Sequence, residues 1–285
     1  MVSNFHLPPT GFGPGSQPPG EEGEALEYLP MPQDMRAYSP HLPEVEVDET
    51  LAPALDLLRD IAHAAEACGQ DGVNRRFDLA GLDAANRALI AETMGAGEVA
   101  VKIHDIPAIA VQESVFAGVW GLKGAGVDAI EVGPVPAQAL ARAFAPRRAG
   151  EQVPRRAGEQ VPRNAQVVNA PPLLVELQDK SAQFAPGGAA HVVNLTLLPH
   201  TEADLDWLDA ALGQGSVDIL SRGYGNCRIT ATALNHVWRV RFYNSMDVLI
   251  LDTFEVTAMP EVALAAPEDL TDSGGRILEV LEAIR

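Results

Sequence analysis

The chain has 285 residues, 47% of them hydrophobic, and carries 39 acidic against 20 basic side chains for a formal net charge of −19. The apolar content excludes wholesale disorder, and the length fits one large or two small domains. The acidic balance excludes nucleic acid and anionic membrane surfaces as partners, since both require a basic face; it suits plain solubility or a basic partner.

Two cysteines, Cys68 and Cys227, form neither a disulfide framework nor a CxxC pair, which fits a reducing compartment. The start lacks the basic residues and long apolar run of a secretory signal, and no apolar run approaches the ~20 residues of a spanning helix. A cytoplasmic protein without membrane insertion is expected.

Residues 1–46 read as an extended, acidic Pro/Gly-rich tail, because proline removes donors and glycine adds backbone entropy. Within it, Glu27–Tyr38 carries Tyr28, Leu29, Met31 and Met35; it either packs on its own domain or docks on a partner. Residues 47–145 form a first unit. Leu51, Leu55, Leu58, Ile61 and Ala62 predict a helix over Glu49–Ala67 with Gly69 as its stop. A short strand falls near Phe77–Leu79. A second helix spans Asp83–Met94, with Ala84, Ala88, Leu89 and Ala91 on a common side and Gly95 at its end. Alternation then predicts antiparallel strands at Val99–Ile103, Ile109–Phe116, Val119–Lys123 and Ala129–Val132, before a helix at Pro136–Phe144.

The octamer PRRAGEQV occurs twice in tandem and marks residues 146–165 as an expanded linker. The second unit, 166–285, repeats the plan. It has a helix at Leu173–Phe184 with Leu174, Leu177 and Ser181 on one side, and a strand at His191–Leu198. A helix capped by Thr201 follows, then strands at Val217–Leu220, Cys227–Ala233, Val237–Tyr243 and Val248–Glu255, and a closing helix at Glu268–Ile284.

Leu212–Pro260 repeats Met94–Pro136. One offset of 118 carries Gly95, Gly97 and Val99 onto Gly213, Gly215 and Val217, and Val119-Trp120 onto Val237-Trp238. Glu131, Val132 and Pro136 reach Glu255, Val256 and Pro260 at an offset of 124, so the second copy holds six extra residues near Phe242–Asp247. These are two copies of one supersecondary unit. The expected fold is α+β: two homologous halves, each helix–strand–helix followed by an antiparallel meander, with sheets covered by helices.

The copies differ most at Ser221, Arg222, Gly223, Tyr224, Gly225, Asn226, Cys227 and Arg228, where the first reads IHDIPAIA. Glycines around Tyr224 permit positive φ and close backbone approach. Such a turn can hold an anion or a peptide, or be an ordinary hairpin loop. Cys227 aligns with Ile109. It is either an inert isostere of that core residue, or a thiolate activated by Arg222 and Arg228 for reaction or metal binding. His191, His200 and His236 qualify as a base by type only, and no nucleophile, zinc, P-loop or dinucleotide pattern is present. Trp120, Trp207 and Trp238 read as core anchors. Loops at one end of a meander meet, so Arg222, Tyr224 and Asn226 are expected to share a rim with Tyr243, Asn244 and Asp247.

The blocks YLPMPQDMRAY, DKSAQFAPGGAAHVVNLTLLPHTEADLDWLDAALGQG and ILSRGYGNCRITATALNHVWRVRFYNSMDVLILDT, with the EV–P–EVAL ending, resemble the HupH/HyaF family of [NiFe]-hydrogenase expression and formation proteins. The resemblance covers most of the chain outside the octamers, and SRGYGNC and YNSMD are its most specific parts. It implies a non-enzymatic accessory of the uptake hydrogenase system. Such a protein would act in the cytoplasm on the iron–sulfur small-subunit precursor before export, beside a thioredoxin-like maturation protein. No catalytic residues and no cofactor come with it. The alternative is a factor delivering an iron–sulfur cluster or iron through Cys227; a thiol-dependent enzyme is a third reading. The first copy lacks SRGYGNC, so a site there is asymmetric between the halves.

Overall fold

Helix α1 (Ala52–Asp71) follows a 3-10 turn at Glu49–Leu51 and buries Leu58, Ile61, Ala62 and Ala65 on one face. It opens a computed structural model that describes residues 49–145, 147, 161–223 and 225–284. The expected tail, most of the octamer linker and Tyr224 lie outside the described residues. α1 does not stop at Gly69. It runs on to a left-handed cap at Gly72, because Gly69 is a packing position: a Cβ there would collide with Thr271 and the Pro267 carbonyl.

Strand β1 (Arg75–Asp78) leads to α2 (Ala84–Met94), capped by the Asp83 carboxylate, which accepts the Asn86 amide. Its buried face is Asn86, Leu89, Ile90, Thr93 and Met94, whereas Ala84, Ala88 and Ala91 face outward. The alanine spacing misled because the inward polar residue has a task. Asn86 Oδ1 accepts the Ala54 amide (2.9 Å) and its Nδ2 donates to the Thr50 carbonyl (3.0 Å), tying the start of α1 to α2. The meander follows as β2 (Val99–Ile103), β3 (Ile109–Glu113), β4 (Val119–Gly124) and β5 (Val127–Val132), then α3 (Ala137–Arg142).

The second half runs α4 (Ala170–Ala182), β6 (His191–Asn194), α5 (Glu202–Leu212), β7 (Val217–Ser221), β8 (Asn226–Ala231), β9 (Val237–Tyr243), β10 (Leu249–Val256) and α6 (Pro267–Ala283). The strand expected to reach Leu198 ends at Asn194, where the chain tightens into a 3-10 turn that buries Leu195 and exposes Leu197. Asp204 takes the part of Asn86. Its Oδ1 accepts the amides of Val168, Asn169 and Ala170 at 2.8–3.0 Å, and it forms a capping box with Thr201. Burial works against its charge, but these amides hold its carboxyl well below the usual carboxylate range.

All ten strands form one antiparallel sheet in the order β1-β5-β4-β3-β2-β7-β8-β9-β10-β6. The halves meet where β2 pairs β7, Val99 opposite Ser221 and Ile103 opposite Val217. Each half thus places its strands in the same order outward from this seam, and equivalent positions make equivalent contacts. Trp120 lies opposite Glu131 and Trp238 opposite Glu255; both rings are fully buried. Gly97 donates to the Glu113 carbonyl and Gly215 to that of Ala231, and a Cβ on either would collide with the Ser114 or Thr232 carbonyl. The tight turn that holds Gly118 (φ 75°) in the first half holds His236 (φ 64°) in the second. The six extra residues lengthen the β9–β10 hairpin, whose ladder also carries a register shift between Leu249 and Leu251.

One sheet face carries the central core: Val101, Ile103, Val111, Trp120, Val217, Ile229 and Trp238, closed by Ala139 and Ala143 at α3 and by Met259 and Ala263. On the other face α1, α2 and α6 pack over Val119, Ile130 and Val132 at one end, and α4 and α5 over Val237, Phe254 and Val256 at the other. The strip between these helical layers is left open.

Candidate functional site

The β7–β8 turn and the β9–β10 turn lie side by side, because Asn226 is paired with Tyr243 across β8 and β9. Asn226 Nδ2 donates to Asp247 Oδ1 at 3.1 Å, and the Arg228 guanidinium sits 4.7 Å from the centre of the Tyr243 ring. Such a cation–ring contact fixes both planar groups at the rim. Arg222, Gly223 and Gly225 are exposed, and Gly225 takes φ 98°, a backbone state that a side chain would strain. The turn leans on the first half: the Arg222 amide donates to the Glu98 carbonyl (3.1 Å), and a Cβ at Gly223 would collide with the Glu98 carboxylate.

Three residues from the same stretch have other duties. Ser221 is 7% exposed and points with the core residues of β7. Asn244 Oδ1 accepts the amides of Met246 and Val248, closing its own turn. Cys227 is 2% exposed, packed in the central core in register with Ser221, as its alignment with Ile109 implies. The activated-thiolate reading is corrected by strand geometry. Successive side chains point to opposite faces, so Arg228 projects away from the sulfur. Burial, helped by Glu255, pushes the Cys227 thiol up to about 12. Among the described residues no three of His, Cys, Asp and Glu gather in a way that could hold a metal ion.

Arg228 also belongs to a groove that residue-by-residue reading missed. The open strip of the sheet forms a cavity of about 1210 Å³ along α2, floored by β2, β3, β7 and β8 with Gly121 and Lys123 of β4 and Arg241 of β9 at its margins. Its small floor residues, Ala100, Ala110 and Gly121, come from the first half; Arg228 and Arg241 come from the second, with Lys102 and Lys123 beside them. Ile90 and Met94 of α2 close one side from within the first-half core, and Leu220 adds an apolar position to the floor. Six basic side chains line it against two acidic ones, Asp128 and Asp218, which pair with Arg87 and Arg147. The available cue was alternation itself: between the apolar positions of four strands stand Lys102, Lys123, Arg228 and Arg241, cations in an otherwise acidic chain.

The fold thus presents two adjoining turns and a groove on one antiparallel sheet. The model of the HupH hydrogenase expression protein, C-terminal conserved region, matches residues 167–284. Over the full length of both chains, the protein is 67% identical to the hydrogenase expression/formation protein HupH of Rhodobacter capsulatus. It is 44% identical to HoxQ of Cupriavidus necator, covering 99% of this chain and 98% of that one. It is 32% identical to the hydrogenase-1 operon protein HyaF of Escherichia coli over 98% of this chain and 95% of that one. The chain belongs to the HupH family of hydrogenase expression/formation proteins. Among its described residues no helix is long and apolar enough to cross a membrane.

Proposed function

We propose that this chain acts in hydrogenase maturation as a non-enzymatic accessory, holding the iron–sulfur small-subunit precursor in the cytoplasm before export, with a thioredoxin-like maturation protein as a second partner. The observation that carries the reading is the 67% identity, end to end, with a protein named for hydrogenase expression and formation. The rim geometry favours holding over chemistry, because its exposed groups are guanidinium, amide and aromatic side chains suited to a protein interface. Delivery of a cluster or iron through Cys227, and thiol catalysis by it, lose support from the burial of that sulfur.

The test is capture of the small-subunit precursor by the full chain. Arg222→Ala with Tyr224→Ala should leave the thermal transition nearly unchanged and abolish capture, since Tyr and Arg dominate interface hot spots at roughly 2 kcal/mol or more each. Unimpaired capture by the double variant would remove this rim from the interface; absence of capture by the parent chain would remove the small subunit as the client.

A further inference from the structure

We propose that the open groove over the central strands is a docking site for an acidic amphipathic helix of a partner protein. The inference concerns a different surface from the exposed turns and stands without the hydrogenase subunit as client. Three observations carry it.

The first is the shape of the gap. Helices cover the same sheet face on both sides of the groove, and between them strands β3, β2, β7 and β8 stay bare. At ~4.8 Å per strand this strip is on the order of 15–19 Å wide, which admits one helix of about 10–12 Å diameter. Small side chains at Ala110 and Gly121 keep its floor low, as a helix lying on a sheet requires.

The second is charge. Against 39 acidic and 20 basic residues in the whole chain, the groove reverses the sign. Its acidic residues are already engaged with Arg87 and Arg147. Lys102, Lys123, Arg228 and Arg241 have no carboxylate in ion-pair contact among the described residues, and only Arg241 feels one at longer range, Asp209 of α5, so they are available to acceptors on a ligand. Five buried side-chain polar atoms among the described residues lack a hydrogen-bond partner, and two of them, Nε of Arg147 and Nε of Arg241, belong to guanidinium groups of this groove. A carboxylate ligand in the groove acts on the charge of these groups rather than on their sealed Nε atoms.

The third is mixed polarity. The cations are interleaved with small and apolar floor positions rather than set in a uniformly basic track: Ala110 lies between Lys102 and Lys123, and Leu220 lies beside Arg228. A nucleic-acid backbone would leave these apolar floor positions uncovered, whereas a helix with one acidic and one apolar stripe satisfies both kinds of residue.

The probe is a fluorescein-labelled 16-residue peptide with Glu and Leu on opposite helical faces, titrated with the full-length protein and read by anisotropy. Its Lys-for-Glu twin and a 16-nucleotide single-stranded DNA serve as comparisons. The acidic peptide should bind at least tenfold more tightly than either and weaken with added salt. Lys102→Ala with Lys123→Ala, both at exposed positions, should weaken it at least tenfold. Ala110→Trp, which fills the floor without changing charge, should do the same, and an unaltered thermal transition certifies the fold of each variant. Equal binding of the Lys twin or of the DNA, or undiminished affinity in folded Ala110→Trp, would overturn the proposal, as would no binding of the acidic peptide. Because no hydrogenase component is present, these outcomes are independent of small-subunit capture.

Discussion

Toward the central core the two halves of the sheet are nearly interchangeable: Trp120 and Trp238, Gly97 and Gly215, and Val101 and Ile219 all point inward and are buried or closely packed. On the opposite face the helix-covered Val119 and Val132 still match Val237 and Val256, but toward the open strip the correspondence fails. Ala110, Gly121 and Lys123 of the first half align with Arg228, Arg239 and Arg241 of the second. Of these, Arg239 is buried in a two-point ion pair with Asp252 and a further contact to Asp209 of α5, while Arg228 and Arg241 face the groove. A packed interior tolerates few changes of volume, so inward positions stay alike. The open strip carries no such constraint and is where the halves have taken different parts. We propose duplication of one ancestral unit as the origin of the shared plan.

The largest expected effect tests whether the inward equivalence is energetic as well as geometric. Trp120→Ala and Trp238→Ala should each cost ~3–5 kcal/mol in chemical denaturation, as for other fully buried aromatic rings. A cost several-fold smaller in one half would show that its ring is not a shared anchor. The next effect separates the halves. Glu113 aligns with Ala231 and is buried against the Gly118 amide, and burial, reinforced by Glu98 and Asp269, pushes its carboxyl up to about 7. The native state therefore holds this proton more tightly than the unfolded chain. The associated stability is fully present below about pH 4.5 and is lost as pH rises through about 7. Glu113→Gln should remove up to about 3 kcal/mol of stability loss across that window; unchanged pH dependence in the variant would show that the carboxyl is not desolvated. The smallest effect is a transplant. Cys227→Ile installs the residue that the first half carries at this place and should change stability by less than about 1.5 kcal/mol. In the parent chain Cys227 should stay unmodified by thiol reagents at pH 8 while folded. Rapid native labelling would reopen the reactive reading.

Much of this arrangement was legible in the residues. Alternation located the meander strands, and the offset of 118 located Trp120 against Trp238. Two local readings failed because their determinants are distant. Gly69 reads as a helix stop, yet α6, some two hundred residues later in the chain, explains it. The alanines of α2 suggest a buried stripe, yet the buried polar residue is Asn86, chosen by the orphan amides of α1. The groove was invisible for the same reason. It exists only because β2 pairs with β7, and nothing local to Val99–Ile103 announces a partner at Val217–Ser221.

The last helix crosses that seam in the other direction. α6 packs on α1 through Gly274, whose Cβ would collide with the Ala62 carbonyl and Glu66, and Ser273 Oγ donates to the Ala117 carbonyl across 156 residues. Leu270, Ile277, Val280 and Leu281 thereby complete the core of the first half. On the ribosome, the first half emerges early but cannot close its helical layer until α6 leaves the exit tunnel. Such long sequence separation delays folding until the loop-closure cost is met. A chain terminated before α6 would leave the α1 face uncovered, the very surface that Leu270, Ile277, Val280 and Leu281 bury.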